Sequence, residues 1–361
     1  MANSKIVYSG KQWRVGILAQ SAFGTIKASS SNFVELPVMD VSMPSITTLD
    51  GGGIRSGTAG MITHDDSLFR TEKGGEITWS FEMPCEREWA AQMLASVFQD
   101  HAQDLGTRHT ITASSGAALA RPDFGGAIST GIPAYYTISF DSPTAADDFQ
   151  IQDAILRNLT LTCDPASNEG RCYLAGEFYS GAPIVLEATN SGTWVQRTQN
   201  YTFPDWQTKT LDVDGTANAE IFVGSVDFTF NNNASRLGFD ASGNAETYKW
   251  GVPEVEITGS LRVKYDAVVA LTSGENVIQD FLSGNSATLV LQSSDGTVNA
   301  EGEYNIEANI YYTGQPEIDL ASDDGVFVNL PFKVVQPTSS GAASGIAFEY
   351  VGMDGTASTA W

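Results

Sequence analysis

At 361 residues the chain has room for about two domains of ordinary size, each able to bury a core of its own. Its 35 Gly, 13 Pro and 18 Phe beside only 17% charged residues favour many short strands and turns over helical bundles. A net charge of −24 disfavours non-specific adhesion to DNA, RNA or anionic membranes, which recruit Lys and Arg; the plain alternative is that acidity maintains solubility.

Residues 1–32 combine one apolar run, Val15-Gly16-Ile17-Leu18, with Ala28-Ser29-Ser30-Ser31, and read as an arm leading into a first domain over 33–181. The opening Met1-Ala2-Asn3-Ser4-Lys5-Ile6-Val7 lacks the apolar centre of a signal peptide, and no apolar run reaches membrane-helix length, so a protein used on the cytosolic side is expected. Phe33 to Met43 alternates as a strand. Residues 44–75 then form a long polar insertion carrying Gly51-Gly52-Gly53, Asp50, Arg55, His64, Asp65, Asp66, Arg70, Glu72 and Lys73, and insertions of that length are usually functional. Glu76-Ile77-Thr78-Trp79-Ser80-Phe81 closes it as a strand. The spacing of Trp89, Met93 and Val97, with Ala90, Leu94 and Phe98 beside them, predicts an amphipathic helix over 86–101, with Glu88, Gln92, Ser96 and Gln99 on the opposite side.

Strands follow at Thr110-Ile111-Thr112-Ala113-Ser114-Ser115 and Tyr135-Tyr136-Thr137-Ile138. A hairpin then runs from Leu159-Thr160-Leu161-Thr162 through Asp164-Pro165 to the stretch Tyr173 to Tyr179. Cys163 and Cys172 lie across that turn, but three cysteines imply no disulfide framework, and two reduced strand cysteines acting as small hydrophobes are expected. Asn158, Asn200 and Asn233 open sequons that no secretion signal makes meaningful. The seam 182–218 is polar yet holds Trp194, Tyr201, Phe203 and Trp206, which suits an ordered crossover better than a loose linker.

From there the layout repeats over 219–350. Glu256-Ile257-Thr258-Gly259-Ser260-Leu261 answers Glu76 to Phe81, 180 positions on, and follows its own polar loop at 231–251 with Asn233, Arg236, Asp240 and Lys249. A shorter helix is predicted at Val277 to Leu282, with Ser273 as a candidate cap and Gly284 as its stop. Thr288 to Ser294 and Ile310-Tyr311-Tyr312 answer the next two strands. A closing hairpin of Phe332-Lys333-Val334-Val335 with Ala347-Phe348-Glu349-Tyr350 answers the last element. The tail 351–361 is rich in Gly, Ala, Ser and Thr and either frays or docks on a neighbour.

Catalytic motifs are weak. His64-Asp65-Asp66 and the set His101, Asp104, His109 have no recognised ligand spacing on a rigid element, and the chain has only three His. Asp212-Val213-Asp214-Gly215 lacks the closing Glu of a calcium loop, and Gly51-Gly52-Gly53 lacks the Lys-Ser or Lys-Thr of a phosphate loop. The expectation is a protein that is not an enzyme and binds no cofactor or metal.

The order strand, long loop, E-I-T-x-S-[FL] strand, helix, strand pair and hairpin resembles the tail tube protein of long-tailed bacteriophages, in its two-domain version. The residues carrying this are Glu220 to Asn233, read E-I-F-V-G-S-V-D-F-T-F-N-N-N, followed by Pro253-Glu254-Val255 and Glu256 to Leu261. The resemblance covers the layout of 33–350. It implies an all-β fold with minor α: two tandem β-sandwich or half-barrel domains, each flanked by one short helix. It also implies inner strands that join neighbours around a DNA channel, and loops that stack one ring on the next. A duplicated chain would need three copies for a pseudo-sixfold ring. Implied partners are further copies of the chain, tape measure, tail tip or initiator and terminator proteins, with viral DNA passing unbound. The implied locations are the virion tail and, during assembly, the host cytoplasm. On this resemblance, Asp50, Arg55, Asp65, Asp66, Arg70, Glu72 and Lys73 would form a ring-stacking loop, with Asn233, Arg236, Asp240 and Lys249 in its second copy. The competing reading is a soluble β-sandwich that binds a receptor or carbohydrate, with Trp194, Trp206, Trp250, Tyr311 and Tyr312 as sugar platforms.

Overall fold

The computed structural model describes residues 12–20, 23–51, 69–85, 87–98, 102–104, 108–112, 135–144, 147–164, 172–182, 184–186, 191–196, 208–213, 216–218, 223–239, 248–251, 256–264, 281–284, 286–293, 304–315, 317–319, 327–335 and 346–351. The protein is all-β with minor α. Strands β1 (Arg14–Ala19), β2 (Val34–Glu35), β3 (Ser45–Gly51) and β4 (Phe69–Pro84) precede the helix α1 (Arg87–Phe98). After it come β5 (Ala102–Asp104), β6 (Arg108–Thr112), β7 (Tyr136–Asp141), β8 (Phe149–Cys163) and β9 (Cys172–Ser180). The crossover holds β10 (Val185–Leu186), β11 (Thr208–Val213) and β12 (Thr216–Asn218). The second half opens with β13 (Val223–Asn231), β14 (Ser235–Phe239), β15 (Tyr248–Gly251) and β16 (Glu256–Lys264). One helical turn at 281–283 leads into β17 (Ser286–Ser293), β18 (Tyr304–Tyr312), β19 (Glu317–Asp319), β20 (Phe327–Val334) and β21 (Ile346–Val351). Gly284, at φ +70°, ends that turn as a left-handed stop.

Seven of these strands form one antiparallel ladder in the spatial order β3, β4, β9, β8, β13, β16, β20. Period-two alternation sends one set of side chains into the core: Ile77, Trp79, Phe81 and Met83 from β4, Leu174 and Phe178 from β9, Leu159 and Leu161 from β8. Val226, Phe228 and Phe230 from β13, Ile257, Leu261 and Val263 from β16, and Val328, Leu330 and Phe332 from β20 continue the same layer. One apolar cluster therefore runs through both halves of the chain. Aromatic pairs stiffen it: Trp79 lies against Phe81, Phe140 and Phe178 at 5.3–6.0 Å, and Phe228 lies against Phe230 and Phe332.

The repeat is visible in the pairing. β4 is flanked by β3 and β9, and β16 by β13 and β20. Ile77 faces Ile46 as Ile257 faces Phe230, and Trp79 faces Phe178 as Gly259 faces Phe332. Gly259 has no side chain because none fits: a Cβ would stand 2.2 Å from the Asp227 carbonyl and within 3 Å of the Phe332 ring. Three expectations need correction. The closing hairpin of the second half does not form between β20 and β21; β20 flanks β16, while β21 pairs with β18 and reaches back to β6 of the first half. The stretch read as an arm contains β1, which pairs along its whole length with β7. Cys163 and Cys172 are joined by a disulfide, because the β8–β9 register sets them directly opposite, with Cα atoms 4.3 Å apart.

β8 belongs to two sheets. Its first half pairs with β7 and β10, its second with β9 and β13, and the switch falls at a bulge where Asp153 adopts φ +50°. The Asp153 carboxylate accepts hydrogen bonds from Gln20 Nε2 and the Gly24 amide, both at 2.8 Å, and its own amide donates to Gln20 Oε1 at 2.9 Å. The crossover is ordered where described: Trp194 covers Gly16 and Phe33, and Val195 exchanges backbone hydrogen bonds with Phe33 and Glu35. Tyr201, Phe203 and Trp206 lie outside the described residues.

α1 buries Trp89, Ala90, Met93, Leu94 and Val97 as its spacing predicts, but Gln92 and Ser96, expected on its open side, are buried too. The helix is covered on both flanks, and the polar pair is tolerated because it is hydrogen-bonded. Ser96 Oγ donates to the Gln92 carbonyl at 2.7 Å and shares a hydrogen bond with the Tyr136 hydroxyl.

Truncating Phe228, which is fully buried between two rings, is expected to remove about 3–5 kcal/mol of stability in Phe228→Ala, read by urea denaturation. Burial raises the Asp153 carboxyl above the ordinary range, outweighing the hydrogen bonds from Gly24 and Gln20 that lower it. The folded protein thus holds this proton more tightly than the unfolded chain, so the stabilisation is full at acid pH and lost as pH rises through the folded value. Asp153→Asn, neutral throughout, should melt higher than the parent at pH 7, with the gap closing as pH falls below about 4, in a thermal-melt series.

Candidate functional site: the polar face of the ladder

The alternation that fills the core leaves the other face of the ladder polar. Backbone pairing aligns its residues in rows that run from the first half into the second. Ser80, Glu177, Asn158, Asn231 and Glu256 form one row. Glu82, Ala175, Thr160, Thr229, Thr258 and Lys333 form the next, and Tyr173, Thr162, Asp227, Ser260 and Pro331 a third. The rows cross the joint between halves without a break, and there Thr160 Oγ1 and Thr229 Oγ1 approach to 3.4 Å.

Short hydroxyl and amide side chains dominate, so the surface offers hydrogen-bonding capacity. Its described charges are chiefly acidic. The Asp227 carboxylate is fixed by the Ser260 amide and hydroxyl. Two of its described cations are engaged: Lys333 Nζ donates to Glu256 Oε1 at 2.9 Å, and the Arg262 guanidinium stands 4.2 Å over the Phe327 ring. Glu76, Glu82 and Glu177 remain as the outward carboxylates. A phosphate-bearing polymer meets like charge and neutral hydroxyls here, and that repulsion acts over a Debye length of roughly 8 Å at physiological salt.

Of the residues singled out from sequence, Asp50, Arg70, Glu72 and Lys73 lie on β3 and β4, at one edge of the ladder. The insertion 44–75 is no open loop at its base: β3 and β4 continue as a hairpin in which Asp50 faces Arg70 and Gly51 faces Phe69. Glu72 and Lys73 are on β4, while Arg55, His64, Asp65 and Asp66 lie outside the described residues. The second copy also holds a hairpin, though not as part of the ladder. Between β13 and β16 in the chain, β14 and β15 form a separate two-stranded hairpin in which Arg236 faces Trp250 and Phe239 faces Tyr248. Lys249 is on β15 and Asp240 lies outside the described residues.

Asn233 has a structural duty. At φ +50° it turns the chain from β13 into β14, with its amide on Asn231 Oδ1. Its neighbour Asn232 is buried and donates to the Leu156 carbonyl at 2.7 Å, anchoring the second half to β8. Among the described residues no group of three His, Cys, Asp or Glu is placed to hold a metal ion, and no helix is long and apolar enough to cross a membrane. The proposed sugar platforms are not assembled where they are described: Trp194 is packed on Phe33, and Tyr311 and Tyr312 point to opposite faces, one exposed and one buried.

The sequence reading singled out loops and did not single out this face. The signal was present in Leu159-Thr160-Leu161-Thr162 and Phe228-Thr229-Phe230-Asn231, whose alternation names the polar positions once the two strands are known to be neighbours. Reversing the charge of the face with Glu82→Lys and Glu177→Lys should leave the melting temperature within a few degrees of the parent, since surface substitutions rarely exceed about 0.5 kcal/mol. The variant should gain retention on immobilised duplex DNA that falls steeply with salt, while the parent shows none at any ionic strength. Comparison of the chain with protein-family models and with curated proteins gives no match.

Proposed function

We propose that this protein is the structural subunit of a bacteriophage tail tube, polymerising as stacked rings around an acidic channel through which DNA passes unbound. The observation that carries the reading is the mode of repetition. The second half is added to the first by strand pairing, β13 on the edge of β8, with hydrogen bonds continuing through the joint. β3 occupies in the first half the place that β13 occupies in the second, yet among the described residues its outer edge has no partner. Ile46 on it is 55% exposed, and Met39 and Met43 just before it are 59% and 65% exposed. An uncovered apolar strand edge is what a monomeric protein avoids, and a ring of chains closing edge to edge removes it.

In this reading three duplicated chains close a pseudo-sixfold ring, with the polar rows on the channel side, where acidity and hydroxyls let a polyanion slide. The two hairpins, β3–β4 and β14–β15, project from corresponding places and would carry the ring-to-ring contacts, using Asp50, Arg70, Glu72, Lys73, Arg236 and Lys249. Tape measure, tip and terminator proteins are the further partners this role requires.

Negative-stain electron microscopy of the purified protein tests the assignment. Hollow tubes of constant width, with a repeating axial step, are the expected outcome, and end views give the number of chains per ring. The double change Met43→Asp and Ile46→Lys should abolish tubes and leave a folded, discrete species by gel filtration. If the parent remains monomeric at every concentration and instead retains a glycan on an array, the reading fails and the carbohydrate-binding alternative replaces it.

A further inference from the structure

All three cysteines of the chain lie in one row on the core side of the ladder. Cys163 and Cys172 are register partners on β8 and β9. The β4–β9 register, whose last pair is Pro84 with Tyr173, brings Cys85 opposite Cys172 next, and the Cys85 amide donates to the Cys172 carbonyl at 2.8 Å. Strand order then sets Cys172 between the other two, on the middle strand of three. Residues paired in this hydrogen-bonded way have Cα atoms about 5.5 Å apart, within the reach of a disulfide. Cys163 and Cys172 are almost fully buried, whereas Cys85 is partly exposed beside the core.

We propose that Cys85 is the exchange partner of the disulfide, so that the row holds one S–S bond that moves between two positions. The Cys85 thiol loses its proton to solvent, and its thiolate attacks Cys172 Sγ. A bond forms between Cys85 and Cys172 while the Cys172–Cys163 bond breaks, and Cys163 leaves as a thiolate that takes up a proton. One disulfide and one thiol are present before and after, so no oxidant or reductant is consumed. The geometry suits the step because exchange needs nucleophile, central sulfur and leaving group in line, and the sheet sets the nucleophile and leaving strands on opposite sides of the central one. Only Cys172 has a cysteine on both sides.

The two positions differ in what they tie. In one, β9 is stapled to β8 at the residue that also pairs with Val226 of the second half. In the other, β9 is stapled to β4 and the end of β8 is held by hydrogen bonds alone. The partly exposed Cys85 also makes the buried disulfide addressable from solvent, which neither of its own cysteines does.

The test is disulfide mapping of the full-length protein, folded, held at pH 8.5, quenched in acid, alkylated with N-ethylmaleimide and analysed by peptide mass spectrometry. The expected result is two populations, Cys163–Cys172 with alkylated Cys85 and Cys85–Cys172 with alkylated Cys163, in a ratio independent of protein concentration. Approach to that ratio should be about fifty-fold slower at pH 6.5, as the thiolate fraction of an ordinary thiol falls. In Cys163→Ser, mild oxidation should yield Cys85–Cys172 quantitatively. Finding Cys163–Cys172 as the sole bond in the parent after prolonged incubation at pH 8.5 overturns the proposal, and so does a folded Cys163→Ser protein that keeps both thiols alkylatable after oxidation.

Discussion

Everything in this molecule depends on the strand ladder between β8 and β13. Six residues of each strand pair across it, from Asn158 with Asn231 to Cys163 with Val226, and they turn two similar half-sheets into one. Each strand contributes a side chain in every second position to a shared core, so neither half keeps a complete apolar layer without the other. Leu159, Leu161 and Cys163 meet Phe230, Phe228 and Val226 directly across the joint. At about 25 cal/mol per Å² of apolar surface removed from water, a joint of this kind outweighs any single polar contact on the opposite face.

The division of labour between the faces follows from the same geometry. A pleated strand presents its residues alternately, so a continuous apolar layer on one side obliges a continuous polar layer on the other, whatever that layer is for. What makes the polar layer distinctive is its chemistry: Thr, Ser and Asn in register, carboxylates facing out, and Lys333 and Arg262 engaged by Glu256 and the Phe327 ring. Such a surface is suited to excluding adhesion, not to creating it. The net charge of −24 over the whole chain acts in the same direction.

Much of this was legible in the sequence, and the limits are instructive. The 180-residue offset between Ile77 and Ile257 picked out two strands, β4 and β16, that are each paired on both edges. Trp89, Met93 and Val97 announced a buried helical stripe. Alternation, however, says which residues share a face and nothing about which strands are adjacent. The partner of β21 could not be read for that reason: Ala347 to Tyr350 suit a local hairpin as well as the distant pairing they make with β6 and β18. The disulfide escaped because composition argues about cysteine numbers, while bond formation depends on register. Gln92 and Ser96 read as solvent-facing because a helical wheel shows one helix and not what covers it; their hydrogen bonds with the Tyr136 hydroxyl come from a strand far along the chain.

The reach of β21 back to β6 has a bearing on how the protein is made. His109 pairs with Tyr350 and Arg108 with Val351, so β6 finds this partner only when a segment far along the chain is in place. Contacts of such sequence separation carry a large loop-closure entropy and form late. Until then β6 lacks its long-range neighbour, α1 lacks part of its cover, and β18 has an open edge. This corner of the sheet therefore closes only when two segments more than 230 residues apart have met, however early the rest of the core has packed.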